Sequence, residues 1–313
     1  MKKRLILKTL LFLLPIIILA VSMEYLLQHI PNDYIYKKNY LDKHSQNVEI
    51  LILGNSHDYY GINPVYFSQN AFNASHVSQS LTFDLKIFNK YKDKLNNLKV
   101  VILPASYFGL WSKLETGVES WRVKNYTIYY GMSPNSLSDY SEILTNSLSI
   151  NLKRIYKYSF EKEDEIYCSQ LGWGAVYISG YAFGNDLEKN GIKALSQAAD
   201  IHSEKGMKIF AENVQILNSF EEFCNKKNVK LIFLTTPAYH SYRENLHKEQ
   251  MNKMIETMND FVAKHNNCHY LNWIEDPDFT KEDYYDSDHL SGSGAEKLSK
   301  KLALYVDSLE TCK

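Results

Sequence analysis

A serine near the start of this 313-residue chain and a histidine–aspartate pair near its end have the residue types of a nucleophilic active site. Ser56 follows the apolar run 48–53 and Gly54, a glycine that permits a tight turn. Asp286 precedes His289 by three residues, so a turn can bring the carboxylate beneath the imidazole. A serine hydroxyl needs such a base and such a carboxylate to attack a carbonyl. These residues therefore predict acyl transfer through an acyl-enzyme, provided that the fold brings them together.

Four further polar residues are candidates for the site, but we expect most of them to have other roles. His57 adjoins Ser56, but adjacent side chains on a turn usually diverge, so we expect it to make a local hydrogen bond. Asp288 is expected to be a solvated turn residue or a cap of the following helix. Tyr239 and His240 follow a predicted strand, where they are candidates either for substrate contact or for packing of a surface loop.

Short apolar runs alternate with amphipathic helical patterns along most of the chain. The runs that predict strands are 48–53, 71–73, 98–103, 229–236 and 269–271. The faces that predict helices are Leu81, Leu85, Phe88 and Leu95; Phe210, Val214, Leu217 and Phe220; Met251, Ile255, Met258 and Val262; and Leu298, Leu302 and Val306. This alternation predicts an α/β fold, a three-layer α/β/α sandwich around a parallel sheet of about five strands. Ligands of such sheets bind at the carboxyl ends of the strands, so we expect the site in the loops after Gly54, Asn73, Pro104 and Pro237.

The segment from about 109 to 206 interrupts this alternation and is rich in aromatic residues. These residues are Trp111, Trp121, Tyr126, Tyr129, Tyr130, Trp173, Tyr177 and Tyr181. We interpret the segment as a long insertion that caps or lines the site. Its aromatic rings either stack on sugars or pack a small subdomain.

The first 27 residues have the pattern of a transmembrane anchor. Lys2, Lys3 and Arg4 precede an apolar run that continues to Leu27, and about 20 apolar residues suffice to cross the hydrocarbon layer. The positive charge before the run places the N-terminus in the cytoplasm and the rest of the chain outside it, in the periplasm or at the cell surface. Cleavage near Ala20-Val-Ser22 is the alternative. We expect a polar stalk over 28–46 and the α/β domain over 47–313.

The charge balance and the cysteine spacing exclude several function classes. Lys and Arg number 35 and Asp and Glu number 36, for a formal net charge of −1, so bulk charge does not favour a nucleic-acid partner. The four cysteines lack metal-ligand spacing and no glycine-rich phosphate loop is present, so we predict no metal and no cofactor. Outside the cytoplasm, Cys168, Cys224, Cys268 and Cys312 allow three disulfide pairings.

The residues around the serine and the histidine resemble two conserved blocks of the SGNH/GDSL hydrolase superfamily. Gly54-Asn-Ser56 resembles the first block and Asp286-Ser-Asp-His289 the fifth, over about residues 47–309. Gly61-Ile-Asn-Pro64 and Thr236-Pro-Ala-Tyr-His-Ser-Tyr242 are similar to segments of membrane-anchored bacterial members linked to surface-polysaccharide assembly. More distantly, the layout resembles that of the teichoic-acid D-alanine transfer protein. The resemblance implies a flavodoxin-like fold with Ser56 as nucleophile, His289 as general base and Asp286 as its orienting carboxylate.

The resemblance also implies positions for the groups that stabilise the oxyanion. Five residues after Asn73, where the family's second block has a glycine, this chain has Ser78. The third block normally supplies an asparagine amide, and Ser106 is its nearest substitute in Leu103-Pro-Ala-Ser-Tyr107. We therefore expect Asn73, Ser78 and Ser106 at the oxyanion and substrate site. Because loss of one oxyanion donor typically costs about 3 kcal/mol, we expect slow or specialised activity.

These observations support three hypotheses about function. The first is an exported serine esterase or O-acyltransferase that acts on acyl esters of a cell-surface polysaccharide or another acylated glycan. The second is a catalytically degenerate member of the fold that serves as a glycan-binding or assembly factor beside a membrane transferase, which the missing third-block asparagine favours. The third is a partner of an acyl carrier, which differs in the acyl donor. The joint presence of Ser56, Asp286 and His289 favours an enzyme.

Overall fold

The computed structural model describes residues 2–177 and 186–311. The helices are α1 (Lys2–Gln28), α2 (Asp33–His44), α3 (Ser56–Gly61), α4 (Leu81–Tyr91), α5 (Val123–Tyr130), α6 (Glu142–Thr145), α7 (Leu148–Tyr156), α8 (Leu187–Asn190), α9 (Lys193–Ser196), α10 (Glu204–Lys227), α11 (His240–Glu244), α12 (Lys248–Lys264) and α13 (Gly292–Thr311). The strands are β1 (Ile50–Ile52), β2 (Ala71–Asn73), β3 (Val100–Pro104), β4 (Lys230–Thr235) and β5 (Cys268–Asn272). The chain divides into two units: unit 1 holds residues 1–39 and 118–166, and unit 2 holds residues 40–117 and 167–313.

A five-stranded parallel sheet, in the order β2-β1-β3-β4-β5, forms the centre of unit 2. This order is the flavodoxin-like one, and it confirms the predicted α/β fold class. Each strand falls within a predicted apolar run or overlaps it closely. The order of the strands reverses at β1, so the loop after β1 and the loop after β3 lie at the switch point where ligands of such sheets bind.

Alternate residues of the strands face opposite layers of helices. On one face, apolar residues of the sheet pack against α13: Ile50, Ile52, Val100, Ile102, Ile232 and Leu234 with Leu298, Leu302 and Val306. On the other face, Phe233 of β4 meets Phe261 of α12 with ring centroids 5.4 Å apart. Phe88 of α4 meets Phe220 of α10 at 4.9 Å. The helical faces read from the sequence are buried in part. Leu85, Phe210 and Val214 are only half-buried, and the buried side of α12 runs through Met254 and Phe261 rather than Ile255 and Val262.

The predicted stalk and the predicted insertion are both divided between the two units. Residues 28–46, expected to be a polar stalk, contain the helix α2, which carries aromatic side chains that pack. Tyr34 lies against Tyr126 in unit 1, with centroids 5.3 Å apart, and Tyr40 stacks on Phe72 in unit 2 at 4.0 Å. The predicted insertion 109–206 is divided, with residues 118–166 in unit 1 and the rest in unit 2.

Most of the aromatic residues of the predicted insertion are buried. In unit 1 these are Tyr126, Tyr129 and Tyr130, and in unit 2 Trp111 and Trp173. Trp121 is more exposed and lies under the guanidinium of Arg122, 4.3 Å from the ring centroid. Packing of the interior is therefore the role of most of these rings, rather than sugar stacking. Tyr181 and Cys312 lie outside the described residues, and no disulfide joins Cys168, Cys224 and Cys268 to one another.

Unit 1 is built around the C-terminal end of α1. The most apolar 18-residue window of α1 has a mean hydropathy of 2.6. The helix is therefore long and apolar enough to cross a membrane, a property that anchors and signal sequences share. Met23, Leu27 and Ile30 form an apolar cluster with Ile143 and Ile155. The fold of unit 1 therefore uses the last turns of this helix.

Candidate active site

The turn after β1 presents Ser56 at the first position of α3. Asn55 caps the helix: its side-chain oxygen accepts the backbone N–H of His57 at 2.9 Å, while a carboxylate oxygen of Asp58 accepts the N–H of Asn55 at 3.1 Å. Gly54 has φ +138°, and a Cβ atom there would lie 2.2 Å from the Asp58 carboxylate. Only glycine fits this position, so the predicted tight turn depends on Gly54.

His289 lies within hydrogen-bond distance of both Ser56 and Asp286. The Ser56 Oγ is 2.8 Å from His289 Nε2, and His289 Nδ1 is 3.0 Å from Asp286 Oδ1 and 3.1 Å from Oδ2. Asp286 Oδ1 also accepts the backbone N–H groups of Asp288 and His289, at 3.1 and 2.9 Å, so the turn itself fixes the carboxylate. This is the arrangement that a serine nucleophile, its general base and an orienting carboxylate require.

Asp288 is a second carboxylate of this site, and the expectation of a solvated turn residue was wrong. It is 2% exposed. Its Oδ2 lies 3.1 Å from His57 Nε2, and its Oδ1 lies 3.2 Å from His289 Nδ1. Asp288 therefore joins the two histidines, whose rings are 5.0 Å apart. We expected His57 to make a local hydrogen bond, but its partner Asp288 is far away in the sequence.

Lys193 brings a positive charge to both carboxylates. Its Nζ lies 2.8 Å from Asp286 Oδ1 and also pairs with Asp288 Oδ1. Lys193 is the first residue of the short helix α9. Just before it, the chain passes close to Ser241, because a Cβ atom at Gly191 would lie 2.3 Å from the Ser241 backbone. Gln197, one turn further, donates from Nε2 to Asp288 Oδ2 at 3.4 Å. Part of the predicted insertion therefore does line the site.

The pKa shifts follow from burial and from the charges within this cluster. Burial lowers the pKa of His57, so its Nε2 carries the proton toward Asp288 and its Nδ1 has the lone pair. Burial of His289 has the same tendency, but the carboxylates of Asp288 and Asp286 outweigh it and raise its pKa to about 9. Burial tends to raise the pKa of Asp286, and His289 and Lys193 lower it overall. The cluster therefore stabilises an imidazolium at His289, the species that forms when Ser56 gives up its proton.

The groups expected at the oxyanion site occupy different positions. Ser106 lies just after β3, and its Oγ accepts from Asn55 Nδ2 at 2.9 Å, so its own O–H can still donate to a substrate. Asn73 does not serve this site, because its side chain is fully buried and holds the backbone: Nδ2 donates to Asp58 O and Ile62 O, at 2.9 and 2.8 Å. Asn73 is therefore a scaffold residue.

Ser78 lies in the loop between β2 and α4, where it is half-buried. Its φ is +60°, in the left-handed region that favours glycine. This conformation gives a physical reason for the glycine that the resembling block has at the same position. Ser78 retains the backbone N–H but adopts a conformation that costs about 1–2 kcal/mol for a residue with a side chain.

Tyr239 and His240 are tied to a neighbouring helix. The Tyr239 hydroxyl donates to Glu188 Oε1 at 3.0 Å, and His240 Nε2 lies 3.1 Å from the same oxygen. Their side-chain hydrogen bonds therefore lead to α8, and the backbone N–H of Tyr239 donates to Ser287 O at 2.9 Å, so these contacts fit the loop-packing alternative. Through Glu188 they hold the segment that continues into α9 and Lys193.

Two buried carboxyl groups lie beneath the turn that carries Ser56. Asp84 accepts from Gln79 Nε2 at 2.6 Å, and burial raises the pKa of Asp84 to about 7. Burial, together with the charge of Asp84, raises the pKa of Asp58 well above its ordinary value. One oxygen of each group, Asp58 Oδ1 and Asp84 Oδ2, is buried without a partner among the described residues. The fold therefore favours the protonated acids.

Asp84→Asn is expected to stabilise the protein at pH 8 but not at pH 4. A carboxyl whose pKa is raised in the folded state contributes its full stability below the unfolded pKa, and loses it as pH rises through the folded pKa, here about 7. The amide keeps the acceptor for Gln79 and carries no charge at pH 8, so we expect a gain in the free energy of unfolding on the order of a few kcal/mol. Urea unfolding at the two pH values measures it. The exposed Asp93→Asn serves as control, and an equal gain at both pH values would contradict the assignment.

The site also contains a group with the composition of a metal site. The ligand atoms of His57, Asp288 and His289 all lie within 4.8 Å of one another. However, His289 already binds Ser56 through Nε2 and Asp286 through Nδ1, and Lys193 pairs with Asp288. A cation would have to displace an ammonium group and the serine hydroxyl, so the arrangement favours serine chemistry.

No family model matches the chain, and no curated protein matches it significantly.

Proposed function

We propose that this chain is a serine esterase or O-acyltransferase that forms an acyl-enzyme on Ser56. The observation that carries the proposal is the 2.8 Å contact between Ser56 Oγ and His289 Nε2, with Asp286 at the other ring nitrogen. These residues come from the carboxyl end of β1 and from the turn before α13. Hydroxyl, imidazole and carboxylate in this order are the arrangement that nucleophilic catalysis by a serine requires.

The proposed reaction has two half-reactions. His289 accepts the proton of Ser56 as the serine oxygen attacks the ester carbonyl, and the imidazolium then gives this proton to the departing alkoxide. Water or a sugar hydroxyl next gives its proton to His289 and attacks the acyl-enzyme, and the imidazolium then returns a proton to the departing Ser56 Oγ. Asp286 and Asp288 stabilise the imidazolium in both steps. The O–H of Ser106 and the backbone N–H of Ser56 are the proposed donors to the oxyanion.

The proposed substrates are acyl esters of a cell-surface glycan. The support is the likeness of the motifs to those of membrane-anchored SGNH/GDSL hydrolases, together with an N-terminal helix apolar enough to anchor the chain in a membrane. In this proposal the N-terminus is cytoplasmic and unit 2 is extracytoplasmic. A membrane acyltransferase that supplies the acyl group is the proposed partner.

A fluorophosphonate probe tests the nucleophile. The full chain in detergent is incubated with the probe, and the labelled peptide is mapped by mass spectrometry. We expect labelling of wild type at Ser56 and none in Ser56→Ala, whereas Ser219→Ala, which removes an exposed hydroxyl of α10, is labelled like wild type. Labelling that persists in Ser56→Ala refutes the assignment. Absence of labelling in wild type between pH 7 and 9.5 favours the degenerate binding factor instead.

The rate of labelling is expected to rise with pH up to about 9. Only neutral His289 can accept the serine proton, and the two carboxylates raise its pKa to about 9. Asp288→Asn removes one of these negative charges, so the imidazolium is less stable and the rising limb moves to lower pH, by about 1 to 3 units. The measurement is the labelling rate constant between pH 6 and 10. The exposed Asp260→Asn should leave the profile unchanged, and a profile that Asp288→Asn does not move contradicts the role given to Asp288.

A further inference from the structure

Helices α6 and α7 of unit 1 expose a row of large apolar side chains. The row consists of Leu144, Leu148, Leu152, Tyr156 and Phe160, each between 53% and 74% exposed. The last four are spaced by four residues along α7 and the helical turn that continues it, so each is rotated by only about 40° from the one before. Tyr156 and Phe160 stack, with ring centroids 5.2 Å apart. Soluble surfaces rarely carry a contiguous apolar row of this length.

Two polar residues of α7, Asn151 and Arg154, point into unit 1. Asn151 is fully buried. Arg154 donates to Glu142 at 2.7 Å and pairs with both oxygens of Glu165, at 2.7 and 3.0 Å. Buried Lys124 also pairs with Glu142. Two polar side chains of α7 therefore lie inside unit 1 while Leu148, Leu152 and Tyr156 are exposed, which is unusual for a helix that faces water.

The C-terminal end of α1 holds this row beside the apolar helix. The carboxylate of Glu24 accepts the Ser141 hydroxyl at 2.7 Å and the backbone N–H groups of Glu142 and Ile143 at 2.7 and 3.1 Å. Ile155 of α7 packs against the α1 cluster. Glu24 is the first acidic residue after the apolar run that begins at Leu5, so it marks the level at which α1 leaves a hydrocarbon layer. The start of α6 is hydrogen-bonded to Glu24 and therefore lies at the same level.

We propose that the apolar row is a membrane-docking face that enters the headgroup and acyl boundary of the bilayer crossed by α1. The bilayer is the occupant because the row continues from the end of the membrane helix. Exposed Tyr140 and Tyr156 are aromatic residues of the kind enriched at this boundary. This proposal does not depend on the activity proposed for Ser56.

Photo-crosslinking of the full chain in native membranes tests the docking face. Leu152 is replaced by p-benzoylphenylalanine, and in a matched protein the replacement is at Lys153, which is also exposed but lies about 100° around the helix. We expect a phospholipid adduct, read as a mass shift, that is several times more abundant at position 152 than at position 153. A protein adduct at position 152 indicates a protein partner and overturns the proposal. Equal adducts at both positions, or none at 152, also overturn it.

A second variant separates docking from folding. Leu148→Glu and Tyr156→Glu are combined with the crosslinker at position 152. They place one negative charge on each side of the crosslinker. Because both side chains are exposed, we expect an unchanged melting temperature in detergent and a several-fold loss of the lipid adduct. Turnover of a soluble aryl ester in detergent should stay at the wild-type level. An undiminished lipid adduct with both charges in place contradicts insertion of the row.

Discussion

His289→Gln is expected to lower kcat/KM for a soluble aryl ester by about 10²- to 10⁴-fold. Glutamine can still contact Ser56, which lies 2.8 Å from His289 Nε2, but its amide cannot take up a proton at neutral pH. The serine then attacks as a neutral hydroxyl, with no group placed to take up its proton. Steady-state hydrolysis of p-nitrophenyl acetate, corrected for the uncatalysed rate, measures the loss.

The control for this variant is His202→Gln, which changes a mostly exposed histidine paired with Glu249. It should retain wild-type kinetics, and circular dichroism should show the same fold for both variants. If His289→Gln were as fast as wild type, or if both variants lost activity equally, His289 would not be the general base.

Asp286→Asn is expected to be nearly as damaging, with a loss on the order of 10³- to 10⁴-fold in kcat. Asp286 Oδ1 accepts two backbone N–H groups and lies 2.8 Å from Lys193 Nζ, so the amide oxygen of asparagine will occupy this position. The amide NH₂ then replaces Oδ2, 3.1 Å from His289 Nδ1, and donates to it. His289 is held with its proton on Nε2, where it cannot accept the proton of Ser56.

Asp286→Ala should retain more activity than Asp286→Asn. The alanine variant leaves His289 Nδ1 without a wrong donor, and Asp288 Oδ1, 3.2 Å away, can accept its proton. The two variants therefore report on the second carboxylate. Kinetics of both at pH 8, with the Asp286→Ala/Asp288→Ala double variant alongside, measure the effect. An asparagine variant faster than the alanine variant would contradict the proposed orientation of the amide.

The sheet and the three residues in contact at its edge could be predicted because their signals are local. Each strand coincides with or overlaps a short run rich in apolar residues, and soon after β1 comes Gly54, whose backbone conformation no other residue fits. Parallel sheets bring the ends of such strands together, so a serine after β1 and a histidine before α13 were expected to meet. Whether they catalyse a reaction stays a prediction.

The environment of the histidine could not be predicted because it depends on distant residues. Asp288 looks like a surface turn residue in the sequence, and it is buried only because His57, Lys193 and Gln197 cover it from other elements. Lys193 belongs to a short helix without a recognisable motif. Conversely, Asn73 has the residue type of a substrate donor, but the backbone carbonyls of α3 occupy its amide.

The order of the segments in the chain has a consequence for biosynthesis. Ser56 is made early, whereas Asp286 and His289 follow only after all five strands have been synthesised. A polypeptide still emerging from the ribosome, or one cut anywhere between α4 and α13, therefore holds a hydroxyl with no proton acceptor. If Ser56 is the nucleophile, its reactivity is delayed until translation has nearly finished.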